Sequence, residues 1–347
     1  MTFKTMKIKT ILLLAVALIT GLAEISQGQA VTRAGTAAGE FLTIPVGTRA
    51  TALGGAITAS SNDATSMYWN PAGLAAIDQN QVSIEHSEWF ADLRHNFVGI
   101  AYPIQGAGTL GLSVIALTMD DMEETTFEQQ EGTGRMFGAY SYSVGLSYAQ
   151  NLMRNFAIGG TIKYVHEQIW NSSAGGFGID IGTTYVTPFD DIRFGVRIAN
   201  FGQKLSIGGD DLNIPVDVDP NSQGNNPNVT GRLDTKDFDL PLMLQVGLAW
   251  DGYQSETLRA TLMVDGTSPS NNTQSVNVGV ELAFFEELFA VQAGLPDLFL
   301  EDRMLEFAVG GNVNYKMQTG LGLNIGYAML SHKYLGLTNR FSLRIAF

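Results

Sequence analysis

The chain has 347 residues, of which only 16% are charged, against about 25% in an average soluble domain. Acidic residues outnumber basic ones by 34 to 20, giving a formal net charge of −14, and this argues against nucleic-acid binding, which needs a basic face. The absence of cysteine excludes disulfide frameworks, thiolate zinc sites and cysteine nucleophiles. Low charge, 45% hydrophobic residues and 39 glycines fit a protein that turns an apolar surface outward.

Residues 1–30 have the pattern of a secretory signal peptide. Three lysines precede an apolar run over 11–19, and Gly28 and Ala30 place small residues at positions −3 and −1 of a cleavage site. A membrane anchor is the alternative, but the run is shorter than the ~20 residues that a spanning helix needs. The sequence therefore predicts an exported protein whose mature chain begins near Val31.

Residues 31–79, which we call the hatch, lack the sustained alternation of the rest of the chain. Asn62 or Asp63 can cap a short helical turn that Asn70 and Pro71 end. A loose periplasmic leader is the alternative, but it would have little use for apolar residues such as Leu53, Met67, Trp69 and Leu74. We therefore predict a compact segment that packs against the rest of the chain.

From residue 80 onward the sequence alternates with a period of two, which indicates β-strands with one apolar and one polar face. Fourteen strands are predicted at 80–90, 94–104, 108–118, 135–150, 154–170, 174–187, 191–201, 238–251, 256–266, 273–285, 288–296, 303–316, 318–331 and 336–347. A soluble β-sandwich is the alternative, since it also alternates. The polar face is rich in glycine, serine and asparagine, and aromatic residues lie near strand ends, as in an outer-membrane β-barrel.

The predicted connections support an antiparallel transmembrane barrel over residues 80–347. Those after even-numbered strands are short, whereas the long ones, 119–134 and 202–237, follow odd-numbered strands. Short periplasmic turns and long outer loops are typical of such barrels, and an even strand number places both termini in the periplasm. Because fourteen strands enclose more space than their own side chains fill, we predict that the hatch plugs the lumen.

Five segments resemble the PorV/PorQ family of outer-membrane proteins, which share the fourteen-stranded architecture of the FadL fatty acid transporters. They are Ala38–Ala56, Tyr68–Leu74, His86–His95, Leu117–Glu123 and Leu335–Phe347. The plug motif that is most specific to this group comprises Tyr68, Trp69, Asn70, Pro71, Ala72, Gly73 and Leu74.

The resemblance implies a secretion-associated protein of the outer membrane of a Gram-negative-type bacterium. It is expected to be surrounded by outer-membrane lipid. Its expected protein partner is a type IX translocon subunit, a surface attachment complex or cargo C-terminal domains, and this partner would dock through the outer loops and rim. Two alternatives are a FadL-like channel for uptake or export of hydrophobic small molecules and a purely structural barrel. A channel is expected to have an apolar pocket above the hatch and a lateral gap in the wall.

Charged residues on the inward face are predicted to pair with one another or with the hatch. They are Lys163, Glu167, Asp180, Arg193, Arg197, Arg259, Glu281, Glu306, Arg340 and Arg344, together with Glu85 and Asp265. The arginines can present two donors to one carboxylate, which belongs either to a fatty acid or to a residue across the lumen.

The two long outer loops are acidic, and partner contact is predicted at Asp120, Asp121, Glu123, Glu124, Asp210, Asp211, Asp217 and Asp219. A solvated acidic rim is the simpler interpretation, and binding of divalent cations there is a third. The stretch that begins at Asp217 lacks the glycine and glutamate of a calcium-binding loop (Ser222 and Asn228 stand there), which excludes an EF-hand.

We predict no enzyme, because no Ser-His-Asp arrangement and no G-x-S-x-G motif is found. His86, His95, His166 and His332 lack metal-ligand spacing, so no metal site is predicted. No cofactor is expected, and lipid, lipopolysaccharide or fatty acid are the candidate bound ligands.

Overall fold

In a computed structural model of the chain, residues 35–190, 192–217 and 228–347 are described. The predicted signal peptide, the first four residues of the hatch and Asp219 lie outside the described residues. None of the helices in the described part is long and apolar enough to cross a membrane.

Fourteen strands in the described part of the chain form one antiparallel barrel. They are β1 (Gln81–Glu88), β2 (Arg94–Ile104), β3 (Gly108–Thr118), β4 (Ala139–Met153), β5 (Phe156–Ile169), β6 (Ser172–Val186), β7 (Arg193–Gly202), β8 (Met243–Gln254), β9 (Leu258–Pro269), β10 (Ser275–Phe284), β11 (Phe289–Leu298), β12 (Leu305–Lys316), β13 (Gly322–His332) and β14 (Gly336–Ala346).

The barrel closes between its first and last strands. Pairing of β1 with β14 runs from Gln81 opposite Ala346 to Glu88 opposite Asn339, and each remaining strand pairs with its neighbours in chain order. The predicted all-β, antiparallel, fourteen-stranded barrel is confirmed.

The apolar face of each strand points away from the lumen, as β8 shows. Leu244 and Leu248 are 42% and 44% exposed, whereas Gln245 between them is 2% exposed. Alternation along one strand therefore places apolar side chains outside and polar or small ones inside. A β-sandwich would bury the apolar faces between two sheets, so the sandwich alternative is wrong.

The two longest connections, 119–138 and 203–242, lie at the same end of the barrel, which we call the long-loop end. The opposite end, the short-turn end, carries the connections after even-numbered strands and the terminal Phe347. Both long loops contain short ladders: Met122–Glu123 pairs with Met136–Phe137, and Asn213–Val216 pairs with Val229–Arg232.

The eighth strand begins at Met243, five residues later than predicted. Leu240 lies on the apolar side of the predicted alternation, yet it is buried in the lumen at 2% exposure. A tight turn, in which the backbone N–H of Leu242 donates to the carbonyl of Leu240, breaks the alternation at this point.

The hatch runs through the lumen from one end of the barrel to the other. At the long-loop end the N–H groups of Ala38 and Gly39 donate to Asp239 and Glu167. The chain then forms two short helices, α1 (Thr48–Ala52) and α2 (Ser66–Trp69), and a 3₁₀ helix at Pro71–Ala76 near the short-turn end.

This path places the described start of the hatch and the start of β1 at opposite ends of the barrel. The start of β1 and the C-terminal Phe347 share the short-turn end, joined by a hydrogen bond from the N–H of Phe347 to Asn80. The described beginning of the hatch instead lies at the opposite end, because residues 38–76 traverse the lumen before β1 starts.

Candidate functional site

The hatch sits in a belt of inward-facing glycines contributed by ten of the barrel strands in the described part of the chain. We call the following residues the glycine belt: Gly99, Gly111, Gly159, Gly182, Gly195, Gly247, Gly279, Gly294, Gly310 and Gly326. A Cβ added at any of them would lie within 3.0 Å of a hatch atom. A larger residue at these positions would therefore collide with the backbone or the side chains of the hatch.

Asn70, the asparagine of the plug motif, is completely buried and joins three parts of the site. Its side-chain amide donates to the carbonyls of Thr58 (2.7 Å) and Thr183 (3.1 Å), and its oxygen accepts from the N–H of Ala72. The same side chain thus caps the 3₁₀ helix and fixes the hatch to β6. The extended conformation before Pro71 ends α2 as predicted.

The two aromatic residues of the plug motif fold the hatch onto itself. The Tyr68 hydroxyl donates to the carbonyl of Leu42, and the Trp69 indole donates to the carbonyl of Val46. Their rings meet edge to face with centroids 5.0 Å apart. Because both polar atoms are satisfied, both side chains can be buried in the lumen.

The predicted lumen charges form ion pairs with the hatch and across strands. Glu281 accepts from Arg49 of the hatch at 2.6 Å and from Arg259 at 3.1 Å. Arg193 donates with two nitrogens to the carboxylate of Asp251 at 2.7 and 3.0 Å. Three of the predicted charges, Glu281, Arg259 and Arg193, are therefore paired, and two of the partners, Arg49 and Asp251, were not predicted.

Two further predicted charges bind one another beside the hatch. Lys163 and Asp180 are 2.8 Å apart and almost completely buried. Asp180 also accepts from the backbone N–H of Asn200, which has a positive φ of 62° at a β-bulge between β6 and β7. The pair therefore stabilises an irregular part of the wall.

Arg344 ties the end of β14 to the hatch through Asp63, with a nitrogen–oxygen distance of 2.5 Å. Burial acts to raise the pKa of Asp63, but Arg344, two hydrogen bonds from Thr65 and the charge of Arg49 outweigh it and hold the pKa below its usual value. The carboxylate form of Asp63 is thus bound in the folded protein.

Two inward carboxylates accept backbone hydrogen bonds from the hatch. Glu85 accepts from the N–H of Gly47, which precedes α1, and Asp265 accepts from Ile57 (3.0 Å) and Thr58 (2.8 Å). These contacts satisfy buried backbone donors of a segment that lacks regular pairing.

Glu306 differs from the other predicted lumen charges, because it is exposed. An irregularity of pairing between Leu305 and Ala308 displaces it, and its carboxylate accepts from Ser331, which alternates in register with the outward Tyr327. The prediction that Glu306 lines the lumen is wrong.

Arg197 and Arg340 reach the hatch without a carboxylate partner among the described residues. Arg197 donates to Gln245 and lies 5.2 Å from the ring of Tyr68. Arg340 donates to the carbonyl of Pro45 and lies 5.4 Å from the ring of Trp89. Both guanidinium groups therefore combine one hydrogen bond with an aromatic face.

The predicted outer-loop acids are mostly engaged by the loops themselves. Asp120 pairs with Arg94, Glu124 with Arg135, and Asp211 accepts from Asn171 and Ser172. Hydrogen bonds from Asn171 lower the pKa of Asp211. Glu123 accepts from the N–H of Gly134, and Asp121 lies beside Gly138, whereas Asp210 begins a 3₁₀ turn. Asp217 is the last described residue before the gap that contains Asp219.

The four histidines do not form a single cluster. His95 and His332 are buried, His86 bonds Asn96 on the outer face, and His166 lies among tyrosine rings. No group of three or more His, Asp or Glu placed to hold a metal ion occurs among the described residues.

Two polar cavities of about 100 and 390 Å³ lie beside the hatch towards the short-turn end. Arg49 and Arg259 line both of them, and the larger one also reaches Arg193 and Asn151. Water can occupy these polar cavities, whereas they offer few contacts to an apolar molecule.

The lumen towards the long-loop end is filled by apolar side chains. Phe41 and Leu42 of the hatch pack there with Ile115, Val165, Leu205 and Leu240 from the wall and the long loop. We call this set the apolar cluster. Each of its members is less than 9% exposed. The long-loop end of the lumen is therefore apolar, although most inward strand positions are polar or glycine.

The wall next to the hatch has an interruption, which we call the β11–β12 seam. These strands pair only from Phe289 opposite Val313 to Gly294 opposite Ala308, so the part of β11 beyond Gly294 has no partner on β12. Pro296 has no backbone N–H to donate there. Gly54 of the hatch packs on this point, since its Cβ would lie 2.9 Å from the nitrogen of Pro296.

The glycine belt, the seam and the apolar cluster were not identified from the sequence. Inward glycines were visible as part of the polar face, but nothing in one strand shows that the hatch touches them. Leu205 and Leu240 belong to a loop and to a broken alternation, so periodicity does not place them.

Residues 15–177 match the model of a family described as uncharacterised protein family UPF0164. No curated protein sequence is significantly similar to the chain.

Several solved structures share the fold. A FadL homologue of Pseudomonas aeruginosa has a TM-score of 0.54 at 13% identity, covering 88% of this chain and 98% of its own. The toluene transporter TodX of Pseudomonas putida has 0.53 at 13%, covering 87% and 96%. The toluene transporter TbuX of Ralstonia pickettii has 0.51 at 13%, covering 87% and 97%.

Proposed function

We propose that this protein is an outer-membrane channel through which small hydrophobic molecules pass when the hatch moves. The observation that carries the proposal is the apolar cluster: apolar side chains of the hatch and of the wall fill the lumen at the long-loop end. The fold is shared with two toluene transporters and with a FadL homologue. We propose no enzymatic activity.

An outer-membrane location is supported by the outer face of the barrel. Isoleucine, leucine, valine and aromatic side chains stand exposed along the strands, as Ile84, Leu146 and Val291 do at 47%, 61% and 52%. An apolar band of this kind is stable in contact with lipid chains, and outer-membrane lipid is the expected surroundings. The predicted signal peptide agrees with export.

The β11–β12 seam provides the lateral gap that a channel needs. Strand pairing stops beside the hatch turn around Gly54, so a small displacement of this turn opens the wall without breaking backbone hydrogen bonds between β11 and β12. An apolar molecule leaving the apolar cluster would then reach lipid rather than the polar cavities near Arg49.

The secretion-associated docking role that the sequence resemblance predicts has less support. The loop acids bind groups of the chain itself, for example Glu124 with Arg135, and the shared fold is that of transporters. We therefore propose the channel.

A disulfide between hatch and wall tests this function, because the chain has no cysteine of its own. The hydroxyl oxygens of Thr48 and Ser342 are 2.6 Å apart, which places the two Cβ atoms within reach of a disulfide. In Thr48→Cys/Ser342→Cys, oxidation is expected to reduce uptake of labelled toluene by producing cells to the level of cells without the protein, and reduction to restore it.

The single variant Thr48→Cys is the control for the oxidant, and its uptake is expected to be the same under both conditions. If the oxidised double variant takes up toluene as fast as the reduced one, passage does not depend on hatch movement and the proposal is wrong.

A further inference from the structure

Arg340 on β14 and Arg197 are buried arginines that hold no carboxylate among the described residues, and Arg340 has two unpartnered nitrogens where Arg197 has one. Four other arginines each hold a carboxylate: Arg49, Arg193, Arg259 and Arg344. Arg340 is only 3% exposed, and it forms no ion pair among the described residues. Burying an arginine without a carboxylate costs free energy, and a carboxylate bound from outside the chain would offset this cost.

One complete edge of the Arg340 guanidinium is free. Nη1 donates to the carbonyl of Pro45, whereas Nε and Nη2 have no hydrogen-bond partner in the described part of the chain. Nε and Nη2 form the edge with which arginine binds both oxygens of a carboxylate. The nearest inward carboxylate on β1 is Glu85, two residues before Ser87, and it accepts from the N–H of Gly47 rather than from Arg340.

Two buried histidines lie around the same point. Ser87 of β1 pairs with Arg340 on one side and with His95 on the other, so all three face the lumen in one row. His95 Nε2 has no hydrogen-bond partner among the described residues. The charged group that faces both histidines is Arg340, so the surroundings favour an anion.

Two aromatic rings lie next to Arg340 and His332. The Trp89 ring lies 5.4 Å from the Arg340 guanidinium and 5.6 Å from the His332 ring, and Phe90 is 4.6 Å from the same histidine. Trp89 also packs against the hydrophobic core inside the barrel. Positive φ values at Ala91 and Asp92 form the tight turn that follows these two rings.

We propose that Arg340, His95, His332, Trp89 and Phe90 form a binding site for a small aromatic carboxylate. Its two oxygens accept from Arg340 Nε and Nη2, and its ring packs edge to face against Trp89 and Phe90. The inference deepens the proposed function, on which it rests, by naming a substrate class: molecules with one ring and one carboxylate that enter from the long-loop end.

Calorimetric titration of the detergent-purified full chain with benzoate and with benzyl alcohol tests the site. We expect benzoate to bind more tightly than the neutral alcohol of similar shape. In Arg340→Gln benzoate affinity is expected to fall by about tenfold or more, the effect of losing a charge-assisted hydrogen bond. Arg340→Lys keeps the charge but loses the two-donor edge, and its affinity is expected to lie in between.

Arg94→Gln is the matched control, since it removes one exposed arginine near the long-loop end and is expected to leave benzoate binding unchanged. His95→Ala provides a second variant of the site, should Arg340→Gln not fold. Equal binding of benzoate and benzyl alcohol, or equal binding by wild type and a folded Arg340 variant, overturns the proposal. Binding is measured without transport, so loss of toluene uptake in the disulfide experiment and loss of benzoate binding are separate results.

Discussion

Glu281 accepts hydrogen bonds from three side chains: Arg49 of the hatch, Arg259 of β9 and Gln292 of β11. Its side chain is 2% exposed. Without its carboxylate, Arg49 would have no ion pair among the described residues, whereas Arg259 would keep its pair with Glu287. At the scale of residues, carboxylates such as Glu281, Asp63 and Asp265 hold the hatch in the barrel.

Replacing Glu281 by glutamine is therefore expected to destabilise the protein by about 3 kcal/mol, the cost of breaking a buried ion pair by removing one partner. The free energy of unfolding in urea, measured in lipid vesicles, checks this. Glu256→Gln, in an exposed turn, is the control and is expected to change stability by no more than about 0.5 kcal/mol. A loss below about 1 kcal/mol in Glu281→Gln would show that the network is not stabilising.

Single residues also show where the two-residue alternation predicts the side to which a side chain points and where it does not. Alternation placed Lys163, Asp180 and Glu281 on the inner face, where the structure has them. It failed at Glu306, because an irregularity in β12 reverses the side to which the chain points. Partners such as Asp251 and Asp63 come from distant parts of the chain, and one strand carries no information about them.

At the scale of elements, ten of the barrel strands in the described part of the chain each place one glycine against the hatch. β5 offers a direct test, since two adjacent glycines of this strand face opposite sides. A Cβ on Gly159 would lie 2.4 Å from the carbonyl carbon of Pro71, whereas a Cβ on Gly160 would have Asp180 O at 3.5 Å as its nearest neighbour.

Gly159→Ala is expected to lower the free energy of unfolding by about 1–3 kcal/mol through overpacking. It is also expected to loosen the hatch, which is measured as faster cleavage of the hatch in limited proteolysis. Gly160→Ala is the matched control and is expected to change stability by no more than about 0.5 kcal/mol. Equal stability and equal proteolysis of the two variants would contradict a close packing of the hatch on β5.

The strands themselves were predictable because each alternates over ten or so residues. Their ends were less so: β8 begins late, since the chain turns into the lumen at Leu240. The path of the hatch to the long-loop end was not predictable either, because its short helices carry no information about which end of the barrel they face.

At the scale of the whole molecule, the hatch and the barrel form a single unit whose connection depends on charge. Asp63 binds Arg344 across 281 positions of the sequence, and the charge of this arginine helps to hold the pKa of Asp63 below its usual value. A group whose pKa is lowered in the folded state contributes stability above its unfolded pKa and loses it as the pH falls through the folded value.

The wild-type protein is therefore expected to lose more stability than Asp63→Asn between about pH 5 and pH 2, with the two becoming equal at the acidic end. Near neutral pH the variant is expected to be the less stable of the two. Heat-induced unfolding, followed by gel migration of the folded barrel across this pH range, measures the difference. A constant difference between the two proteins at every pH would exclude a role for the ionised Asp63.

The sequence by itself determined the barrel, the number and order of its strands and the side that faces lipid. These depend on local alternation, which every strand repeats. Only the tertiary structure decided how the lumen is filled: which inward glycines the hatch touches, which arginines hold a carboxylate, and which are left without one. Such contacts join residues far apart in the chain, and the close approach of two backbones depends on the shape of the closed barrel rather than on any one segment.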